Sequence, residues 1–236
     1  MANNFQNLQN NLFSRRFGGT VKGVVDPYIS GYFFGFFVSI PEEAIKNNLG
    51  NSLGGNVNIR KLLSSGILSV TVPTATLNKT TYDALGGLKW HAPTNIDIGD
   101  TCTVKYAEMS GLPYFKVYHA WFNAIRDYRT GASNLIGDGY TKSKYACDFI
   151  YFSTKPDAQT VEFAIYMTGM FPSKDPFDLY GGDITAVDKV EYEQEFSVDY
   201  VWVNDDWVIK KAESIVDLIK PNIDSIKKAE IGGPSE

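Results

Sequence analysis

The chain has 236 residues, of which 44% are hydrophobic and 14% aromatic, enough for one domain-sized core and too many for wholesale disorder. Its 22 basic and 27 acidic side chains give a net charge of −5, which argues against a nucleic-acid binder that neutralises phosphates. No apolar run reaches the roughly 18 residues of a membrane-spanning helix, and the Asn/Gln-rich start lacks a signal-peptide core. We expect a soluble protein made in a cytoplasm.

The first quarter of the chain predicts an arm, a strand and a short helix. Residues 1–30 are polar and then glycine-punctuated, which is typical of an arm. Residues 32–40 carry aromatic side chains on both sides of an alternating pattern, so this strand is expected to be covered on both faces or buried against a neighbouring chain. A short helix is predicted after Pro41, and the Asn- and Gly-rich residues 50–58 predict a mobile loop.

A projecting hairpin is predicted next. Residues 67–72 have a strand pattern that residues 74–77 continue past Pro73, a residue that suits an edge or a bulge. Residues 78–99 are polar and extended, with Gly86-Gly87 near the middle, which predicts a long hairpin with little core of its own. Residues 100–106 form the following strand. One face of that strand carries Cys102, Val104 and Tyr106.

The clearest helix is predicted over residues 113–128. Aromatic and aliphatic side chains recur there at helical spacing, so the helix must lie on the body of the protein. Pro113 suits the first helical position, and Thr130-Gly131 supplies a stop. The stripe consists of Tyr114, Tyr118, Trp121, Ile125 and Tyr128, widened by Phe115 and Phe122.

The last antiparallel unit predicts one apolar and one acidic face. Strands are expected at residues 144–152 and 160–168, then a break at residues 169–172, and a final strand over residues 191–203. The face with Val161, Phe163, Ile165 and Met167 and that with Tyr192, Phe196, Val198, Tyr200 and Trp202 are assigned to the core. The opposite face of the final strand carries Glu191, Glu193, Glu195 and Asp199 toward water.

An amphipathic helix is predicted over residues 207–220, ended or kinked by Pro221. The fold class is therefore mainly β: an antiparallel β-sandwich or barrel-like subunit with one flanking α-helix, a long projecting hairpin and a C-terminal helical extension. We divide the chain into an N-terminal arm (residues 1–30), a β domain (31–204) and the helical extension (205–236).

The sequence offers little for catalysis. His91 and His119 have no neighbours that would complete a triad or a metal pair, and Cys102 and Cys147 lack metal-ligand spacing, so we expect buried free thiols. No phosphate-binding or dinucleotide-binding motif is present. An acid/base pair among the four carboxylates of the final strand stays open, although their alternation is more typical of a solvated face.

The order of elements resembles the tail tube proteins of contractile-tailed bacteriophages, whose fold is shared with bacteriocin and type VI secretion tubes. The resemblance covers roughly residues 31–204. It is carried by Val72-Pro73 before the hairpin, Trp121 in the helix, the turn at residues 168–172, and the closing residues 199–202.

The resemblance implies hexameric rings that stack through hairpins and arms into the inner tube of a virion tail, assembled in the host cytoplasm. It implies no catalysis, no cofactor and no membrane insertion. The partners would be the sheath outside, the tape-measure protein and passing DNA inside, and a baseplate or initiator ring. Residues expected at the contact between rings are Thr81, Tyr82, Asp83, Gly86, Gly87, Lys89 and Trp90, and those packing the helix are Tyr118, Trp121, Phe122 and Ile125.

If the final strand lines the channel, its four carboxylates would keep phosphates from adhering. The alternative is that they face outward or meet lysines at a subunit boundary. The long arm, the enlarged segment 173–190 and the C-terminal helix depart from the family and also fit an initiator or baseplate ring. A type VI-like secretion tube, which would share the fold, is a further alternative. A carbohydrate-binding β-sandwich using Tyr180, Asp178 and Asp183 is a remote alternative.

Overall fold

The computed structural model describes residues 32–50, 57–83, 87, 89–133, 141–176 and 191–231, with side chains as far as residue 219. The predicted N-terminal arm therefore lies outside the described residues. The strands are β1 (Phe33–Ser39), β2 (Ile67–Thr71), β3 (Ala75–Asp83), β4 (Lys89–Ile98), β5 (Thr101–Ala107), β6 (Cys147–Thr154), β7 (Val161–Pro172), β8 (Glu191–Ser197) and β9 (Tyr200–Val203). The α-helices are α1 (Glu42–Leu49), α2 (Ile59–Ser65), α3 (Pro113–Ile125) and α4 (Asp206–Ile231).

Seven strands form one antiparallel sheet in the order β1-β6-β7-β8-β5-β2, with β9 also paired to β7. Strand β7 belongs to both halves of this sheet. Its first part pairs with β6 and β9, whereas Phe171 and Pro172 pair with β8. We call β1-β6-β7-β9 the first half-sheet and β8-β5-β2 the second. The mainly β prediction is confirmed.

The main core lies between the two half-sheets. Phe37 of β1 contacts Phe196 of β8 with ring centroids 6.0 Å apart, so the half-sheets face each other like the layers of a sandwich. Helix α3 fills this space with Tyr118 and Trp121, both fully buried. The Trp121 indole donates a 2.8 Å hydrogen bond to the carbonyl of Tyr145, which satisfies its only polar atom.

A second core lies on the outer face of the first half-sheet. Ala164 and Tyr166 of β7 pack there against Val208, Ala212 and Val216, which recur every four residues along α4. The sequence predicts a core only for the opposite face of residues 160–168, whereas α4 covers this face as well. The prediction that β1 is covered on both faces is confirmed, since it contributes to both cores.

Two predicted strand boundaries are wrong because the strands change their pairing partners where the two half-sheets meet. Strand β7 does not break at residues 169–172 but continues to Pro172, with Gly169 at φ +66°. The predicted final strand is instead divided at Val198 and Asp199 into β8 and β9, because β8 pairs with β5 and β9 pairs with β7. Tyr200 consequently does not share the core face of β8 and is 66% exposed.

The helices differ from the predictions at their ends. Pro113 is at the start of α3, as predicted, but the helix ends at Ile125, and Tyr128 lies in an exposed turn. The Asp127 carboxylate accepts the backbone N–H groups of Arg129 and Thr130, which stabilises that turn instead of a further helical turn.

The predicted strand at residues 144–152 begins only at Cys147, after a short 3₁₀ turn. Helix α4 continues past Pro221 to Ile231, so Pro221 does not end it. Helix α2 was not predicted, although Asn58 caps it by accepting the N–H of Lys61 at 2.9 Å.

We predict that Gly169→Ala destabilises the fold by about 1–3 kcal/mol, because it forces a side chain into a left-handed conformation. The added Cβ would also lie 2.8 Å from Cγ of Asp199. Gly131→Ala is the matched control, since Gly131 has φ +68° with open space around it. Denaturant unfolding should show the larger loss for Gly169→Ala. Equal losses would contradict the close contact with Asp199.

We predict that neither thiol reacts with a disulfide reagent at mildly alkaline pH while the protein is folded. Burial raises the pKa of Cys102 to about 12 and that of Cys147 well above its usual value, so both stay protonated. Both cysteines should react after unfolding in denaturant. A thiol that is modified at once in the folded protein would contradict the burial.

Candidate assembly surfaces

The outer face of the second half-sheet is polar and has no helix over it in the described part of the chain. Cys102, Val104 and Tyr106 of β5 point into the core, so the alternate residues of β5 and their cross-strand partners point outward. We call this surface the polar face. It consists of Ser69, Thr71, Thr101, Thr103, Lys105, Glu191, Glu193, Glu195 and Ser197.

An ion-pair cluster reduces the negative charge of the polar face. The Lys105 ammonium lies 2.8 Å from the Glu191 carboxylate and 3.3 Å from that of Glu193. Hydrogen bonds to these two carboxylates raise the pKa of Lys105. Glu195 accepts a hydrogen bond from the Ser173 hydroxyl at 3.0 Å. With three carboxylates and one ammonium, the polar face has a net charge of −2.

The fourth predicted carboxylate lies elsewhere. Asp199 is at the junction between β8 and β9, with its carboxylate 2.5 Å from the ammonium of Lys142. The same ammonium lies 4.9 Å from the ring centroid of Phe171. The Asp199 N–H donates to the carbonyl of Thr168 at 3.2 Å. The structure therefore brings together Glu191, Glu193 and Glu195 but separates Asp199 from them.

The predicted hairpin is confirmed as β3 and β4, and nearly all its described residues are exposed. Near its tip the rings of Tyr82 and Trp90 stack with centroids 4.8 Å apart. Thr81 Oγ1 and His91 Nδ1 share a 2.9 Å hydrogen bond. Asp83 and Lys89 lie 3.8 Å apart, Gly87 has φ +78°, and Gly86 lies outside the described residues. The residues predicted for contacts between rings thus cluster at this end.

The opposite end of the hairpin carries an apolar surface that the sequence analysis missed. The cross-strand pairs Leu77–Ile96 and Ala75–Ile98 place these four side chains on one face, which we call the hairpin base. Leu77, Ile96 and Ile98 are 60%, 62% and 67% exposed. Strand spacing alone does not show this surface, because a β-bulge after Leu77 shifts the register.

A groove runs between the two terminal strands of the sheet. Strands β1 and β2 approach each other without pairing, and the groove between them has a volume of about 390 Å³. The space that a side chain at Gly35 would fill is occupied, since Phe149 Cζ, Ile67 Cδ1 and Val70 Cγ2 lie 2.8, 3.1 and 3.5 Å from where a Cβ would be. Ser64 and Ser65 of α2 and Ser69 of β2 also line the groove. Phe33 and Leu68 also line the groove and are 54% and 48% exposed. We call this feature the edge groove.

The predicted helix-packing residues occupy two environments. Tyr118 and Trp121 are fully buried, and the hydroxyls of Tyr118 and Tyr106 are 2.6 Å apart. Phe122 and Ile125 are half-buried. Burial raises the pKa of Tyr118 well above its usual value, so this hydroxyl stays neutral and serves as a hydrogen-bonding group within the core.

Chemistry-bearing side chains do not converge within the described ranges. No group of three or more His, Cys, Asp or Glu residues there could hold a metal ion. His91 lies in the exposed hairpin, whereas His119 lies on α3 beside Asn123, with a 2.9 Å contact between them. None of the helices among these residues is long and apolar enough to span a membrane.

No protein-family model and no curated protein sequence matches the chain. Several solved structures resemble it at TM-scores below 0.5. One is a chain of an extracellular contractile injection system, the PVC sheath–tube complex in its extended state, with a TM-score of 0.43, 14% identity, and coverage of 79% of this chain and 99% of that one.

Two others come from the anti-feeding prophage. A chain of its tube-terminating cap has a TM-score of 0.42 and 14% identity, covering 80% of this chain and 97% of that one. A chain of its baseplate has a TM-score of 0.44 and 9% identity, covering 76% of this chain and 97% of that one. These assemblies belong to the kind that the sequence resemblance indicated.

We predict that Lys105→Glu lowers the melting temperature, because it places a fourth carboxylate among Glu191, Glu193 and Glu195. The loss should be larger at low salt, since the Debye length is about 30 Å at 0.01 M and about 3 Å at 1 M. Lys61→Glu on α2 makes the same charge change away from this cluster. If both variants show the same loss and salt dependence, the ion-pair cluster has no specific effect.

Proposed function

We propose that this chain is a structural subunit of a contractile tail, which assembles as hexameric rings that stack into the inner tube and conduct DNA. The proposal rests on one observation, which is the difference between the two outer faces of the sandwich. One outer face is polar and has no helix over it among the described residues, whereas the opposite outer face is covered by α4. A tube subunit needs this difference, because one side meets the channel and the other meets its surroundings.

The polar face is suited to line a channel through which DNA passes without adhering. Its residues carry hydroxyl and carboxylate groups with a net charge of −2, so it repels phosphates. The half-buried ring of Phe171, the cross-strand partner of Ser197, lies at its margin against Tyr145. Lys105 is held by Glu191 and Glu193 and is therefore a poor phosphate ligand. We assign the lumen to Glu191, Glu193 and Glu195, with Asp199 at the margin of this face.

The hairpin and the sheet edges support assembly over a monomeric function. A two-stranded hairpin is marginally stable alone in water, yet the hairpin residues belong to neither core. Among the described residues, β2 and β9 each pair with one other strand, so their second edges can offer backbone groups to other chains. The corresponding edge of β1 is partly bonded by α2, because the Phe37 N–H donates to Ser64 and the Val38 carbonyl accepts from Arg60. The sequence resemblance implies the remaining parts of the proposal, which are the hexameric ring, its stacking, and the sheath, tape-measure and baseplate partners.

This arrangement also assigns a role to the C-terminal part. We propose residues 31–204 as the tube domain and residues 205–236 as an extension whose helix α4 lies on the outer surface of the tube. Val208, Ala212 and Val216 fix the start of α4 on the first half-sheet, opposite the polar face. Helix α4 would then face the sheath.

Negative-stain microscopy of the purified full chain at high concentration tests this proposal, because a tube subunit should form hollow tubes or six-fold rings. A reconstruction should place β5 and β8 at the channel wall and α4 outside. Long tubes favour the inner-tube role, whereas single rings favour an initiator or baseplate role. Monomers that no virion or baseplate fraction seeds would contradict both roles and favour the carbohydrate-binding alternative.

A charge change tests the channel assignment separately. Tubes of Glu193→Lys/Glu195→Lys should retain short DNA inside the channel, because the polar face would then attract phosphates. Glu213→Lys/Asp217→Lys on the exposed side of α4 is the matched control for net charge. We expect DNA density within the lumen for the first variant and outside the tube for the second. The reverse distribution would contradict the orientation.

A further inference from the structure

We propose that an exposed aromatic surface beside the start of α4 binds a neutral oligosaccharide of the cellulose or chitin type. The surface consists of Tyr200 and Trp202 of β9 and Trp207 of α4, and we call it the aromatic patch. Its ligand would be a chain of equatorially linked hexoses, whose rings present flat C–H faces bordered by hydroxyl groups. The inference goes beyond the proposed function and does not depend on it.

The aromatic patch is a continuous surface of rings that remain accessible to solvent. Tyr200 is 66% exposed and Trp207 is 44% exposed, whereas Trp202 between them is half-buried. The ring centroids of Tyr200 and Trp202 lie 6.0 Å apart, and those of Trp202 and Trp207 lie 5.7 Å apart. Single exposed apolar side chains are ordinary, but contiguous ones mark binding surfaces.

Contacts beneath the patch hold its rings in place. Tyr166 of β7 is buried, and its ring centroid lies 6.3 Å from that of Trp202 and 5.1 Å from that of Trp207. Tyr166 is also the cross-strand partner of Trp202. Because both indoles are packed before any ligand arrives, binding would cost little side-chain entropy.

Hydrogen-bonding side chains directly adjoin the rings. Asn204, Asp205 and Asp206 are all exposed and connect the end of β9 to Trp207. An amide both donates and accepts hydrogen bonds, and a carboxylate accepts them from hydroxyl groups. Neither Asp205 nor Asp206 forms an ion pair within the described part of the chain. Flat apolar rings beside such groups match a sugar, which has an apolar face and a polar rim.

The charges beside the patch favour a neutral ligand. Three carboxylates and three ammonium groups cancel there, so an ionic ligand gains no net attraction. They are Asp199, Asp205 and Asp206, and Lys142, Lys210 and Lys211. The ammonium of Lys211 already lies 5.1 Å from the ring centroid of Tyr166, where a ligand cation would otherwise bind.

Isothermal titration calorimetry of the full chain with cellohexaose and with chitohexaose tests the inference. We expect at least one of the two to bind, and the difference between them identifies the type of chain. The glucosamine hexamer is the matched ligand control, because it has the same linkage as chitohexaose but carries ammonium groups. Absence of binding by both neutral hexamers, or tighter binding of the glucosamine hexamer, would overturn the proposal.

Substitutions locate the site. Tyr200→Leu and Trp207→Leu should each weaken binding by about tenfold or more, because leucine stays apolar but lacks a flat ring face. Tyr82→Leu is the matched control, since Tyr82 is 48% exposed and stacks on Trp90 in the hairpin. It should bind as the wild type does. Circular dichroism confirms folding, and the exposed position Tyr200 decides the outcome if Trp207→Leu does not fold.

Unchanged binding by Tyr200→Leu, or an equal loss in Tyr82→Leu, would overturn the assignment of the site. The outcome is separable from that of the proposed function. Tubes or rings that bind neither hexamer would overturn the aromatic patch as a glycan site and leave the tube function standing. Binding by a chain that never forms rings or tubes would support the patch and contradict the tube function.

Discussion

The exchange of strand partners along β7 is the constraint on which the rest of the fold depends. Gly169 takes a left-handed conformation, and the space a side chain would fill holds the Asp199 carboxylate, itself paired with Lys142. At this point β8 leaves β7 to pair with β5, and β9 remains beside β7. Because the sheet divides here, its halves can face each other and enclose the aromatic core around Trp121.

The division also creates two outer faces with opposite properties. Helix α4 covers the face of the first half-sheet, whereas no helix of the described residues lies over the polar face of the second. Among the described residues, this face of hydroxyl and carboxylate groups lies beside terminal strands of the sheet and an apolar hairpin base, which a monomer gains little from exposing. In the proposed ring or tube, each of these surfaces would contact the channel or a neighbouring subunit.

The spacing of side chains along the sequence correctly predicted those elements that depend on interactions between near neighbours in the chain. The alternation around Cys102, Val104 and Tyr106 gave β5 correctly, and the helical spacing around Tyr118 and Trp121 gave α3 apart from its last turn. Gly86-Gly87 between two polar extended runs gave the hairpin. The carboxylates of β8 were also predicted on one face. Asp199 was wrongly grouped with them, because the alternation of side chains does not show where one strand ends and the next begins.

The sequence by itself determined that the chain is mainly β, that one helix packs into its core, and that Glu191, Glu193 and Glu195 share a strand face. These properties follow from side-chain periodicity, which acts over a few residues. Only the tertiary structure decided that α4 covers Ala164 and Tyr166, that Lys105 neutralises part of the acidic face, and that Ala75, Leu77, Ile96 and Ile98 meet on one surface. Each of these depends on strand register or on contacts between residues distant in sequence, which no local pattern encodes.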